Sequence, residues 1–341
     1  MKGVSRRSLL KTAAAGAIAA GAWSPARPAL AQSAPIKLKF GNDLPVSHSL
    51  NVRLREAVDA IHAETKNAVE ISIFPNNQLG SDSDMMSQLR SGALEMATMP
   101  GVVLSTLIPM TALTGVGFAF TDYDKVWAAM DGEVGSLIRG TIEKAGLVPF
   151  QSLWDNGFRQ ITSSSRPIKS PDDLKNFKIR VPVVPLWVAM FSALGAAPVS
   201  IPLNEAYSAL QTKIAEGQEN PLALIESAKF YEVQKFCSLT NHSWDGFWLL
   251  ASARVWRGVP PDIQKVMQTH FNAAALKQRG DIVKANADYQ AMLEGKGLSF
   301  NKVDSTVFQA ALKKTSFYKD AKAKFGDDAW ALLQKYAGDI G

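Results

Sequence analysis

The sequence is poor in the residues that usually announce chemistry. It holds one cysteine, Cys237, among 341 residues, so no intramolecular disulfide can form. Cys237 lies in the mostly apolar run 233–239, the setting of a buried, inert thiol. The four histidines, His48, His62, His242 and His270, stand apart in the chain. No His-Glu-x-x-His pair or Cys/His cluster suggests zinc, and His62 falls in helix-like sequence and reads as structural. A G-x-S-x-G elbow, a Walker loop and a G-x-G-x-x-G turn are also missing, and the acids are scattered. Nothing argues for catalysis, a metal or a cofactor, and none is expected. Long apolar runs are absent too: the stretch 12–23 is Ala/Gly-rich and shorter than the ~20 residues that span a bilayer.

That stretch has another use. It follows Ser5-Arg6-Arg7-Ser8-Leu9-Leu10-Lys11 and precedes Ala29-Leu30-Ala31. A charged start, an apolar middle and a small-x-small end make a secretory signal over residues 1–31. The paired arginines point to twin-arginine export and a periplasmic address. Lys2, Arg6, Arg7, Lys11 and Arg27 carry five of the six net positive charges, so the remainder has a net charge of +1. A basic footprint for nucleic acid or anionic lipid disappears with the signal, and no direct membrane insertion is expected. The remaining chain is long enough for two lobes with separate cores.

Two runs of α/β pattern support that division. Residues 36–40 and 69–74 alternate like half-buried strands. Ser81 and Asp84 form a capping box before Met85, Met86 and Leu89, and Gly92 marks the helix end. Residues 94–99 read as a third strand, completing a strand–helix–strand–helix–strand order. The pattern restarts with strands at 147–153 and 177–181, a helix start at Ser170-Pro171, and helices over 186–194 and 205–215. Residues 260–293 look helical, 298–303 like a strand, and the chain from Ser305 helical again. The fold class is α/β, two-lobed. Residues 32–156 plus about 246–285 are expected to form lobe I, and 157–245 plus about 286–341 lobe II.

Arg180 sits at the end of an alternating strand, opposite Phe177, Ile179 and Val181. In open α/β sheets, ligands gather outside the carboxyl ends of strands, and a guanidinium there can hold a carboxylate by two parallel hydrogen bonds. Arg159 follows a strand-like run and the Asn156-Gly157 turn. By pattern alone, either arginine could equally be a surface ion-pair partner.

The order Gly157-Phe158-Arg159-Gln160-Ile161-Thr162, Arg166-Pro167-Ile168, Lys178-Ile179-Arg180-Val181-Pro182 is more specific. With Gly217-Gln218-Glu219-Asn220-Pro221, Lys229-Phe230-Tyr231-Glu232-Val233 and Thr240-Asn241-His242, it resembles the DctP-like solute-binding proteins of tripartite ATP-independent periplasmic (TRAP) transporters. The resemblance implies two lobes closing on a hinge around an inter-lobe ligand cleft. It implies that Arg180 pairs bidentately with a ligand carboxylate, that Arg159 supports it, and that Asn220 reaches the same region. It further implies membrane permease subunits as partners and a monomeric, non-catalytic protein without cofactor. Asn42, Asp43 and Met99 occupy loops after the first and third strands and are further candidate contacts. Trp154 and Trp244, next to polar Asp155, Asn156 and Asp245, are expected in loops as pocket walls. An indole wall suits a sugar ring or an aryl group, while Asn42, Asp43 and Asp245 suit hydroxyls. A sensor presenting its ligand to a receptor kinase is one alternative. Another is a periplasmic enzyme acting on an organic acid, with Asp43 or Asp245 as general base.

Overall fold

A computed structural model describes residues 34–340; the expected twin-arginine segment lies outside them. Among the described residues, twelve strands form two six-stranded sheets. The first contains β1 (Ile36–Gly41), β2 (Val69–Phe74), β3 (Met96–Pro100), β4 (Leu147–Pro149), β5 (Trp154–Phe158) and β11 (Trp244–Ser252). The second contains β6 (Gln160–Ser163), β7 (Lys178–Val181), β8 (Ala197–Ser200), β9 (Gly217–Asn220), β10 (Phe236–Leu239) and β12 (Ser299–Lys302). Each sheet has a parallel core, with β2-β1-β3 in one and β8-β7-β9 in the other. Antiparallel strands extend both, β11 beside β3 and β6 beside β9.

The helices form where apolar residues recur on one face. In Ser49–Glu64 the buried apolar set is Leu50, Leu54, Ala57, Val58 and Ile61, a helical stripe. Burying Leu50, Leu54 and Ile61 fully is worth about 1.5–3 kcal/mol each. The Ser81–Asp84 capping box starts Asp82–Ser91, and Gly92 ends it in the left-handed conformation, φ 83°. Ser170 and Asp173 make a second capping box, but over a short 3₁₀ turn, Pro171–Leu174, not a full helix. His62 is structural: its Nε2 accepts the Ile71 backbone N–H at 2.9 Å. Cys237 is fully buried, and burial pushes its thiol well above the usual range.

The sheets are joined in three ways. β5 runs directly into β6, and β10 returns into β11. β5 and β11 pair antiparallel, so both crossings share one two-stranded ribbon, with a bulge between Asp245 and Gly246. Two glycines permit it. Gly157 has φ 112°, which a side chain rarely adopts. A Cβ on Gly246 would come within 2.7 Å of the Trp244 ring. The third connection is Pro261–Gly295, a helix of 35 residues and about 52 Å at 1.5 Å per residue. It packs on the Ser49–Glu64 helix and β5, and also on β12. Its buried Gln278 clamps β5, accepting from the Asp155 N–H at 2.9 Å and donating to the Asp155 carbonyl at 2.8 Å.

Sheet membership crosses the expected division, since β5 reaches residue 158 and β11 begins at 244. The C-terminal helices Phe317–Phe325 and Asp327–Ala337 touch elements on both sides: the former packs on Pro185–Ala193, the latter on Tyr123–Met130 and Glu133–Lys144.

Candidate functional site

The carboxyl ends of β1, β3, β7 and β9 converge on a partly open cavity between the two sheets. Asp43, Asp82, Asn156, Arg159, Arg180, Asn220 and Asp245 supply its polar lining. Pro100, Val102, Val103, Leu203, Leu224 and Phe247 supply much of the apolar lining.

Arg180 extends from β7, whose apolar residues Ile179 and Val181 face a core, so its own side chain points the other way. It is nearly fully buried. Its Nε donates to the Ile201 carbonyl at 2.8 Å. Neither Nη1 nor Nη2 has a hydrogen-bond partner among the described residues. Burial lowers this guanidinium to about 10, opposed by Glu219, Asp82 and Asp43 and reinforced by Arg159. It therefore stays charged at neutral pH.

Arg159 is committed differently. Its Nε and Nη2 grip the Glu219 carboxylate at 2.6 and 2.9 Å, and Nη2 also reaches the Glu219 carbonyl and Asn220 Oδ1. The guanidinium lies 4.5 Å from the Trp187 ring centroid. Only Nη1 remains without a hydrogen bond among the described residues. His242 Nε2 contacts the same carboxylate at 3.0 Å. Burial would raise the Glu219 carboxyl, but Arg159 and His242 outweigh it and hold it below its ordinary range. Burial depresses His242, with Glu219 pulling the other way.

Three acids face this arrangement. Burial pushes Asp43 well above the ordinary carboxylate range, with Asp82 and Asp245 adding to the effect and Arg180 opposing it. Asp82 is pushed up to about 6 by burial against the pull of Arg180. Asp245 is pushed up to about 7 by burial against Arg159 and the Gly246 and Val102 amides. Among the described residues, no cluster of His, Cys, Asp and Glu has the arrangement to hold a metal ion.

Five of the nine expected contacts thus meet at one cavity: Arg180, Arg159, Asn220, Asp43 and Asp245. Four do not line it. Trp154 and Trp244 lie in strands, not loops, and both indoles are buried in hydrophobic cores. Trp244 Nε1 donates to Asp155 Oδ1 at 2.9 Å, so its polar neighbour is a buried partner and not a sign of exposure. Asn42 is turned into a clasp with Asn51, donating to Asn51 Oδ1 at 2.8 Å and accepting the Leu44 N–H at 3.1 Å. Met99 is fully buried in a core. Sequence reasoning missed Asp82. It stands at the first position of a helix, where an acid reads as capping, and only its place after β2 hinted at the sheet ends.

Residues 40–322 match the family described as bacterial extracellular solute-binding protein, family 7. A solute-binding protein of Roseobacter denitrificans is 35% identical over 84% of this chain and 86% of its own. The 2,3-diketo-L-gulonate-binding periplasmic protein YiaO of Escherichia coli is 31% identical over 76% of this chain and 77% of its own. A crystal structure of a TRAP periplasmic solute-binding protein from Roseobacter denitrificans, with bound L-galactonate, superposes with a TM-score of 0.81 at 32% identity. It covers 88% of this chain and 98% of that one. With a matching family model over most of its length and two α/β sheets meeting at an arginine-bearing cleft, the chain belongs to the family 7 extracellular solute-binding proteins, the periplasmic receptors of TRAP transporters.

Proposed function

We propose that the cleft captures a small organic carboxylate, a sugar acid by preference, and presents it to the permease subunits of a TRAP-type secondary transporter. One observation carries this reading: the buried Arg180 guanidinium lines the cavity, and neither of its Nη atoms has a hydrogen-bond partner among the described residues. In this reading those two nitrogens take the carboxylate in a planar fork. Arg159 Nη1 and Asn220 support it, and Asp43 and Asp245 accept from hydroxyls. Sugar-acid ligands named for the relatives support the choice of class. The protein acts as a monomer and returns its ligand unchanged.

A thermal-shift series tests the proposal. A ligand at 100 times its dissociation constant should add about 2.7 kcal/mol to stability, so matching sugar acids should raise Tm while the corresponding alditols do not. Equal shifts from acid and alditol would remove the carboxylate anchor from the account. Ligand recovered unchanged after incubation would separate capture from turnover.

Export is proposed to use the twin-arginine route. Replacing Arg6 and Arg7 with lysine should leave precursor in the cytoplasm, and undiminished export of that variant would exclude the route.

A further inference from the structure

The connections between the sheets have two faces, and the cavity uses only one of them. Along the first crossing, Phe158, Arg159 and Gln160 alternate. Arg159 lines the cavity, while Phe158 and Gln160 line an open groove on the reverse side. Asn220 and Leu222 divide between cavity and groove in the same way. The return crossing adds Leu239 and Asn241 to the groove, and the Pro261–Gly295 helix adds Asn286, Ala287 and Gln290. All three connections thus meet there, and no charged side chain lines the groove among the described residues. Asn241, in the left-handed conformation at φ 43°, clasps Gln160. Its N–H donates to Gln160 Oε1 at 3.1 Å, and its Oδ1 accepts from Gln160 Nε2 at 2.6 Å. The two crossings are pinned side by side as a thin partition between cavity and groove.

We propose that this groove is a control point for closure: it is widest when the cleft is shut, so bulk seated in it favours the closed form and tightens ligand binding from outside the cavity. A rotation about a thin partition narrows the gap on one side and widens the gap on the other. The cleft described here is drawn together, with Arg180, Asn220 and Asp245 only 1%, 2% and 0% exposed. The groove is therefore in its wide state, and opening the cleft presses the helix residues toward Phe158 and Gln160. A side chain that fills the wide groove is overpacked in the narrow one, which is penalised. Ala287 is the natural place for it, because its methyl group is exposed at the groove's edge. No residue lines both cavity and groove, so such a side chain acts only by shifting the balance of open and closed forms. The device depends on two lobes that close, whatever the ligand's identity.

Small-angle scattering of the ligand-free protein tests the proposal without any ligand. Wild type is compared with Ala287→Trp, Gln290→Trp and a control, Ala291→Trp, which is exposed on the same helix but outside the groove. Wild type should be less compact than the closed structure. At least one groove variant should shift its radius of gyration toward the closed value, and the control should follow wild type. In calorimetric titration with L-galactonate, the variant that shifts should bind about 10-fold more tightly than wild type, since apparent affinity scales with the fraction already closed. Both groove variants remaining as expanded as wild type would overturn the proposal. So would a more expanded variant, an equal shift in the control, or a ligand-free wild type already as compact as the closed structure. Compaction of a groove variant together with unchanged or weakened L-galactonate binding also overturns it. If no protein in the set binds L-galactonate, the choice of ligand has failed, and scattering alone decides the groove.

Discussion

Replacing Arg180 with alanine is expected to abolish measurable ligand binding while the protein stays folded. Truncating one partner of a buried charge pair commonly removes 2–5 kcal/mol or more of binding energy, a loss of about 30-fold to several thousand-fold. The carboxylate would then be enclosed without its fork, beside three acids. Folding should suffer little. The substitution removes one hydrogen bond within the protein, from Nε to the Ile201 carbonyl, worth about 1 kcal/mol. Asp43 and Asp82 lose a favourable positive neighbour, but each can answer by holding its proton. Arg180→Lys retains the charge and loses the planar fork, so it should bind weakly and with less preference for carboxylates. Calorimetric titration of both variants decides the matter. Binding by a folded Arg180→Ala protein within a few-fold of wild type would mean that Arg180 is structural.

The largest effect on stability is expected at Glu219. Its carboxylate is fully buried and serves both Arg159 and His242. Glu219→Ala would leave the Arg159 guanidinium buried without its counter-charge, a change that typically costs about 3–5 kcal/mol. At roughly 2–4 °C per kcal/mol for a chain somewhat smaller than this one, Tm should fall by about 10 °C. Glu219→Gln keeps one acceptor and should fall in between. Arg159→Ala should destabilise by a similar route, since it strands the glutamate instead. The double variant should lose less than the sum of the singles, because neither ion is then left alone. Scanning calorimetry on the four proteins gives the coupling directly. A Glu219→Ala protein within 1 kcal/mol of wild type, or fully additive losses, would show that the ion pair has no structural role.

The difference between the two arginines marks where sequence reading stops. Pattern placed Arg180 at a strand end, away from the apolar side, because a period of two is written in consecutive residues. The sharing of Arg159 with Glu219 is not written that way. The partners are 60 positions apart and meet only because β6 and β9 pair. Glu219 itself sits in a strand, Gly217–Asn220, that is buried throughout yet has no apolar side chain. Polarity misled in the same way at Trp154 and Trp244, whose acidic and amide neighbours suggested loops. Asp155, Asn156 and Asp245 are in fact buried strand residues. Asp82 was hidden by a local signal, the capping box beside it, which accounted for the acids without reference to the sheet. Local periodicity and caps were legible. Long-range polar pairing was not, because no short window of sequence contains both partners.

The ribbon of β5 and β11 carries Asn156 and Asp245 and leads directly into Arg159. Two of the three segments that carry the chain between the sheets therefore also carry or adjoin groups that line the cavity. A molecule bound at these residues would touch the joint directly, with no intermediate packing between them. One short stretch of backbone thus serves both as a crossing between the sheets and as part of the cavity's lining.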